Sequence, residues 1–262
     1  MSIENEKIIS VISSGEVFKD LLEQTNGIMS GDSAMDTMTG DHCVETAKLV
    51  VQVALKFDIS SEFLDVMTLG SLLHDIGKSE IPANVLNGSK KLSEDEMRLM
   101  STHPVTGAVR IRELAERDLN SCNPFFHRWQ WDLVIALTAL HHTYKARKEQ
   151  CYPSSEVLEG LSNSNIIQSE SLSLVEAEGY GEMLAICDVF SAISASRAYS
   201  KGRLASERLD DPSNKSSATA KAEAIGAVVE YELKLSKMGA VALNYLTDYY
   251  AFTLASDRND KK

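Results

Sequence analysis

Apolar residues recur along this chain at helical intervals. Val44, Ala47, Val51, Ala54 and Leu55, grouped around Leu49 and Val50, predict a helix with His42 at its start. Ser60-Ser61-Glu62 is a capping signal, and the run Phe63, Val66, Met67, Leu69, Leu72, Leu73 predicts a second helix ending around Gly77, just past His74 and Asp75. Ser93-Glu94-Asp95-Glu96 has the form of a capping box and opens a third helix toward Thr102. Pro104 is expected to hold His103 extended before a helix from Val105 to Arg117. Asn123-Pro124 reads as a cap and first-turn proline, starting a helix that runs to His141-His142. Residues 151–175 carry seven serines, two asparagines and no strong period, which predicts a long surface loop. Apolar spacing returns from about Tyr180 to Ala198, and two closing helices are expected between Ala218 and Ala255 after a break at Asp210 to Asn214. No segment alternates as a strand would, and no repeat or heptad array is present. The expected class is all-α.

With 262 residues, 44% of them hydrophobic, the chain can bury one substantial core. The polar, acidic N-terminus is unlike a signal peptide. The longest apolar runs, such as Leu133 to Leu140, fall well short of the ~20 residues of a membrane span. No membrane association is expected. The four cysteines, Cys43, Cys122, Cys151 and Cys187, form no CxxC pair and suit reduced thiols in a cytoplasmic protein. A formal charge of −12 argues against a nucleic-acid polymer as partner, because such binding depends on neutralising phosphates with Lys and Arg. A small phosphorylated ligand is compatible with it, since bound cations supply positive charge locally.

The six histidines change the picture most. His74 pairs with Asp75, His141 adjoins His142, His42 and His103 stand near other helix ends, and Asp188 interrupts the apolar run Ala185 to Phe190. A carboxylate embedded in such a run needs compensation to stay charged, and His and Asp side chains projecting from separate helices are the usual ligands of divalent metals. Neighbours on a regular helix point about 100° apart, but at a loosened helix end His74 and Asp75 can converge, or Asp75 can bridge two ions. His42, His74, Asp75, His103, His141, His142 and Asp188 exceed what one tetrahedral ion takes. The surplus points to two ions able to activate water against a phosphate. His127, isolated beside Arg128 and Trp129, is expected to be a packing or surface residue.

The order His42, His74-Asp75, Asp188 resembles the H…HD…D pattern of the HD-domain metal-dependent phosphohydrolases. His74-Asp75-Ile76-Gly77-Lys78, Ile81-Pro82, Val85-Leu86, Leu92-Ser93, Met100, His103-Pro104 with Gly107, His141-His142, and Asp188-Val189-Phe190 with Arg197 and Tyr199 are similar to the HD-GYP subgroup of cyclic di-GMP phosphodiesterases. The resemblance covers roughly residues 42–203. It implies a helical bundle with a metal centre in its core. One metal would be held by His42, His74, Asp75 and Asp188, and a second by Asp75, His103, His141 and His142, with Asp75 bridging. It further implies a metal-bridging hydroxide as nucleophile on a phosphodiester, and a catalytic role for Asp75 and Lys78. Lys78 and Arg197 would contact substrate phosphate, with Lys201 substituting for the family's usual lysine three positions after the arginine, and Tyr152 would contribute from the segment that stands for Gly-Tyr-Pro. The ions would be iron or manganese, with zinc and nickel also served by such ligands.

The chain departs from the subgroup after His141-His142. Thr143-Tyr144-Lys145-Ala146-Arg147 replaces the Glu-Arg, and Cys151-Tyr152-Pro153 stands where Gly-Tyr-Pro is expected, two residues late. Cysteine lacks glycine's freedom at positive φ, so this loop is expected to differ in shape. Met38 occupies the place where some members carry a glutamate for a third ion, which favours two. The alternatives are therefore an HD phosphohydrolase of another nucleotide or phosphate ester, or a metal-containing signalling module without turnover. The expected organisation is an N-terminal helical extension over 1–40, a catalytic domain over 41–210 and C-terminal helices over 211–262 packing on it. About forty residues before His42 are too few for a receiver domain of ordinary size, so control is expected from a partner, the loop or expression, and a homodimer or a regulatory protein partner is the expected association.

Overall fold

The computed structural model describes residues 34–57, 59–86, 92–142, 153–168, 170–171, 179–194 and 240–247, with side chains omitted at 34–41, 155, 193 and 194. Among them there is no strand. The elements are α1 (Ala34–Ala54), α2 (Ser61–Leu73), a 3-10 turn (Ile76–Glu80), α3 (Ala83–Leu86), α4 (Glu94–Met100), α5 (His103–Leu119), α6 (Arg128–Leu140), α7 (Ser155–Asn163) and α8 (Tyr180–Ser194). Residues 240–247 are also helical. No described helix is long and apolar enough to cross a membrane.

Helix α6 is the axis. Every residue from Gln130 to Leu140 is buried, because α2 covers one side of it and α5 another. Helix α1 packs on α2, and α8 closes the bundle over α1. Trp131, Leu133, Ile135, Leu137, Met67, Leu69, Ile111, Met183, Leu184 and Ile186 are fully enclosed between these five helices. Ala242 and Leu246 join the same core, and the Tyr245 hydroxyl donates to Gln52 Oε1 at 3.0 Å, so residues 240–247 seat on the far end of α1.

Local chemistry explains the boundaries. Ser60 Oγ accepts from Phe63 N at the start of α2, and Ser93 and Glu96 exchange the two bonds of a capping box at the start of α4. Four expectations need correction. Helix α1 begins two turns before His42 rather than at it. Helix α2 stops at Leu73, with His74 as its C-cap, and the chain tightens into the 3-10 turn instead of continuing to Gly77. His103 is helical, the first residue of α5, because Pro104 lies in a first turn, where its missing N–H costs nothing. Helix α6 starts at Arg128, and Asn123-Pro124 belongs to the turn before it.

That turn is held by one buried carboxylate. Asp118 accepts from Phe125 N at 2.9 Å, Phe126 N at 3.1 Å and Trp131 Nε1 at 2.8 Å. This fixes where α6 begins and hence where its last residues end. Asp118→Ala leaves all three donors without that acceptor, and the protein is expected to lose about 3 kcal/mol of stability by denaturant unfolding.

The expected long loop over 151–175 contains α7. Leu161 and Ile167 reach the core, and Arg112 Nη2 donates to the Ile166 carbonyl at 2.7 Å while its Nη1 meets Asp132 Oδ1 at 2.8 Å. Ser154 and Ser164, two of the serines that suggested a loop, cap the two ends of this short helix and are exposed. The extension expected over 1–40 lies outside the described residues up to 33. So do the break at 210–214 and, apart from 240–247, the two closing helices.

Candidate metal centre

Three helix ends and the middles of two further helices converge on one buried cluster. His42 comes from α1, His74 and Asp75 from the end of α2, His103 from the start of α5, His141 and His142 from the end of α6, and Asp188 from α8. All but the half-buried His142 are sealed from solvent. The seven side chains expected to act together are thus brought together. His127 is exposed at the start of α6, where its backbone N–H donates to Gln130 Oε1 at 2.9 Å.

Three histidines are oriented by one device. Nδ1 of His74 donates to the Ser71 carbonyl at 2.7 Å, Nδ1 of His103 to Met100 at 2.8 Å, and Nδ1 of His141 to Thr138 at 2.6 Å. Each partner lies three residues back, and a carbonyl only accepts, so Nδ1 carries a proton and Nε2 is the atom aimed inward. For His42 the roles are filled by hydroxyls. Its Nδ1 lies 3.0 Å from Ser191 Oγ and 3.5 Å from Thr46 Oγ1, and its Nε2 lies 2.7 Å from Asp188 Oδ1.

Asp75 sits at the middle with one oxygen toward each half of the cluster. Oδ2 faces His74 Nε2 at 3.5 Å and His42 Nε2 at 4.0 Å, while Oδ1 faces His103 Nε2 at 3.2 Å and His141 Nε2 at 3.9 Å. Asp188 Oδ1 also stands 3.5 Å from His74 Nε2. The ligand atoms of Asp75, His103, His141 and His142 lie within 4.8 Å of one another, as do those of His42, His74 and Asp75.

These residues fit divalent cations. His74 Nε2 and Asp75 Oδ1 are buried without a hydrogen-bond partner among the described residues, a costly state for polar atoms in a core. His103 Nε2 and His141 Nε2 face each other at 3.2 Å, although both rings carry their proton on the other nitrogen. Two lone pairs aimed at each other are satisfied by a cation between them. Ligands about 2.1 Å from one ion stand about 3.0–3.4 Å apart, close to the 3.2–3.5 Å separations found here.

Electrostatics favour the same reading. Burial works to raise Asp75, but Lys78 and His74 outweigh it and hold the carboxyl well below its usual range. Burial likewise opposes ionisation of Asp188, and His42 and His74 overcome it. Burial lowers His74, yet the Asp75 carboxylate beside it lifts the imidazole well above its ordinary value. Burial, together with the neighbouring His74 and His103 imidazoles, pushes His141 down to about 3 and keeps it neutral. Burial also lowers His103 and His142. Two ionised carboxylates beside three neutral imidazoles form a pocket for positive charge.

Lys78, in the 3-10 turn, pairs with Asp75 Oδ2 and keeps 22% of its side chain exposed, which places its ammonium at the rim of the cluster. Arg197, Lys201 and Tyr152 lie outside the described residues. Sequence reasoning missed Thr46 and Ser191. Ser191 stands one turn after Asp188 on the same helix face, a spacing that could have marked it.

The family model described as HD domain matches residues 39–192, more than half of the chain. Among curated relatives, a cyclic di-GMP phosphodiesterase of Pseudomonas aeruginosa is 28% identical over 74% of this chain and 40% of its own length. A cyclic di-GMP phosphodiesterase response regulator of Xanthomonas campestris is 33% identical over 56% of this chain and 31% of its own length. A 3'3'-cGAMP-specific phosphodiesterase of Vibrio cholerae is 25% identical over 74% of this chain and 31% of its length. The matched region spans well under half of these relatives.

Proposed function

The chain belongs to the HD domain family, near its HD-GYP subgroup, and from that premise we propose that it is a metal-dependent phosphodiesterase acting on a cyclic dinucleotide, cyclic di-GMP in the first place. The observation that carries this reading is the pair of ligand groups sharing Asp75. His42, His74, Asp75 and Asp188 would hold one divalent ion, and Asp75, His103, His141 and His142 a second, iron or manganese before zinc or nickel. Bound there, the ions would supply Lewis acidity toward phosphoryl oxygens and acidify water at neutral pH.

The chain's own residues do the rest. The backbone carbonyls of Ser71, Met100 and Thr138 keep three imidazoles in the tautomer that offers Nε2. Asp75 stays ionised and presents one oxygen to each group. Lys78, on the rim, can leave Asp75 for a phosphate oxygen and stabilise charge that develops during attack. Arg197, Lys201 and Tyr152 are proposed substrate contacts on sequence grounds. The free thiols Cys43, Cys122 and Cys187 suit a cytoplasmic setting.

Protein loaded with Mn2+ or Fe2+ is expected to open cyclic di-GMP, with 3'3'-cGAMP and a panel of phosphate monoesters assayed beside it, and His74→Ala is expected to be inactive. A metal-loaded protein that turns over a monoester but neither cyclic dinucleotide would overturn the substrate assignment. The altered segment from Thr143 to Pro153 makes that comparison informative. Lys78→Ala is expected to lower turnover about 10²-fold while metal content is retained, as read by metal analysis beside the assay.

A further inference from the structure

We propose that Ser191, helped by Thr46, is the positioning residue for His42, and that helix α8 sets this corner of the metal centre by gripping one imidazole at both nitrogens. This rests on the metal-centre reading above and adds to it a residue outside the ligand set. His74, His103 and His141 are oriented by backbone carbonyls three residues back, a device any sequence with that backbone would supply. His42 lies mid-helix in α1, where the carbonyls are taken up by the helix's own ladder. Its outer nitrogen meets side chains: Ser191 Oγ at 3.0 Å and Thr46 Oγ1 at 3.5 Å, both residues buried.

Ser191 and Asp188 are one turn apart on α8, so one rigid element places a hydroxyl on Nδ1 and a carboxylate on Nε2 of the same ring. A hydroxyl can accept, so it sustains the Nδ1–H tautomer that leaves Nε2 as a ligand. Thr46, one turn along α1 from His42, is the longer contact and the lesser support. Fixing the ring through α8 also couples the position of α8 over α1 to the metal: a shift of α8 would move the hydroxyl and the carboxylate together.

The test is Mn2+ titration of wild type, Ser191→Ala, Ser191→Thr and Thr46→Val, with the melting of the metal-free forms measured alongside. Ser191→Ala is expected to weaken uptake about 10–100-fold, as loss of a ligand's hydrogen-bond partner does. Ser191→Thr, which keeps the hydroxyl, should stay near wild type, Thr46→Val should fall between, and the metal-free melting temperatures should agree. Equal affinity of Ser191→Ala and wild type would overturn the proposal, as would an equal loss in Ser191→Thr. Wild type that takes up no metal would instead sink the metal-centre reading itself. Should Ser191→Ala not fold, imidazole 15N NMR of Zn2+-loaded wild type decides: His42 with its proton on Nδ1 and metal on Nε2 supports the assignment, and the reverse tautomer refutes it.

Discussion

Asp75→Asn is expected to strip metal from both halves of the centre and to abolish hydrolysis. The carboxylate is the only residue common to both ligand groups, with Oδ2 toward His74 and His42 and Oδ1 toward His103 and His141. A carboxamide of the same shape carries no charge and offers a single weak ligand oxygen. The loss of affinity should exceed the ~10–100-fold that removing a ligand's outer hydrogen-bond partner costs. Asp188→Asn is the graded comparison, because the ion-pair contacts of Asp188 among the described residues are with His42 and His74. It should spare a larger share of the bound metal. The fold itself should tolerate Asp75→Asn, since the substitution removes a buried charge and Lys78 is free to turn toward solvent. Metal analysis of purified protein, with circular dichroism as control, checks both. An Asp75→Asn protein holding as much metal as wild type would refute the shared-ligand arrangement.

Gly77→Ala is expected to break the site without touching a ligand. A Cβ at residue 77 would lie 1.9 Å from the His103 carbonyl oxygen, 2.6 Å from Gly107 N and 2.6 Å from Thr106 Oγ1. Two of these atoms are backbone and cannot rotate away, so the 3-10 turn and the start of α5 must separate. Gly107 opposes from the other side, where an added Cβ would meet Thr138 Cγ2 at 3.0 Å, Gly77 N at 3.2 Å and Ile76 Cγ2 at 3.4 Å, a tight but less severe contact. The overpacking should cost about 3 kcal/mol. The larger effect is geometric: Asp75 caps the turn, Lys78 lies within it and His103 opens the helix it presses on, and a ~1 Å misplacement at a reacting centre costs about 10²-fold in rate. Gly160→Ala is the control. Nothing lies within 4 Å of a Cβ there, and in mid-helix alanine should stabilise by about 0.5–1 kcal/mol. Loss of stability and metal affinity in Gly77→Ala, against a small gain in Gly160→Ala, would separate close approach from helix propensity.

Much of this was legible in residue order, for reasons particular residues make plain. The capping box at Ser93 and Glu96 works through atoms three residues apart, so its letters suffice. The His74-Asp75 pair at a helix end could be read because a long apolar run stops there. Boundaries were less legible. Pro104 is as compatible with a first helical turn as with an extended residue before it, and the packing of α5 on the 3-10 turn and α6 decided for the helix. Asn123-Pro124 looked like a helix start, yet the start was set at Arg128 by Asp118, whose carboxylate gathers the backbone of Phe125 and Phe126 from the neighbouring helix. Seven serines outweighed Leu161 and Ile167 in the reading of 151–175, because their burial depends on partners far away in the chain.

The sequence by itself determined the all-α class, the family likeness and which side chains were fit to bind metal, since each depends on residue identity and on spacing within a few turns. Only the tertiary structure decided which oxygen of Asp75 faces which histidines, that Gly77 must lie flush against His103, and that His42 is held by Ser191 from a helix about 150 residues later. Those are distances between elements, and they are set by how α1, α5, α6 and α8 pack against one another rather than by any stretch of chain alone.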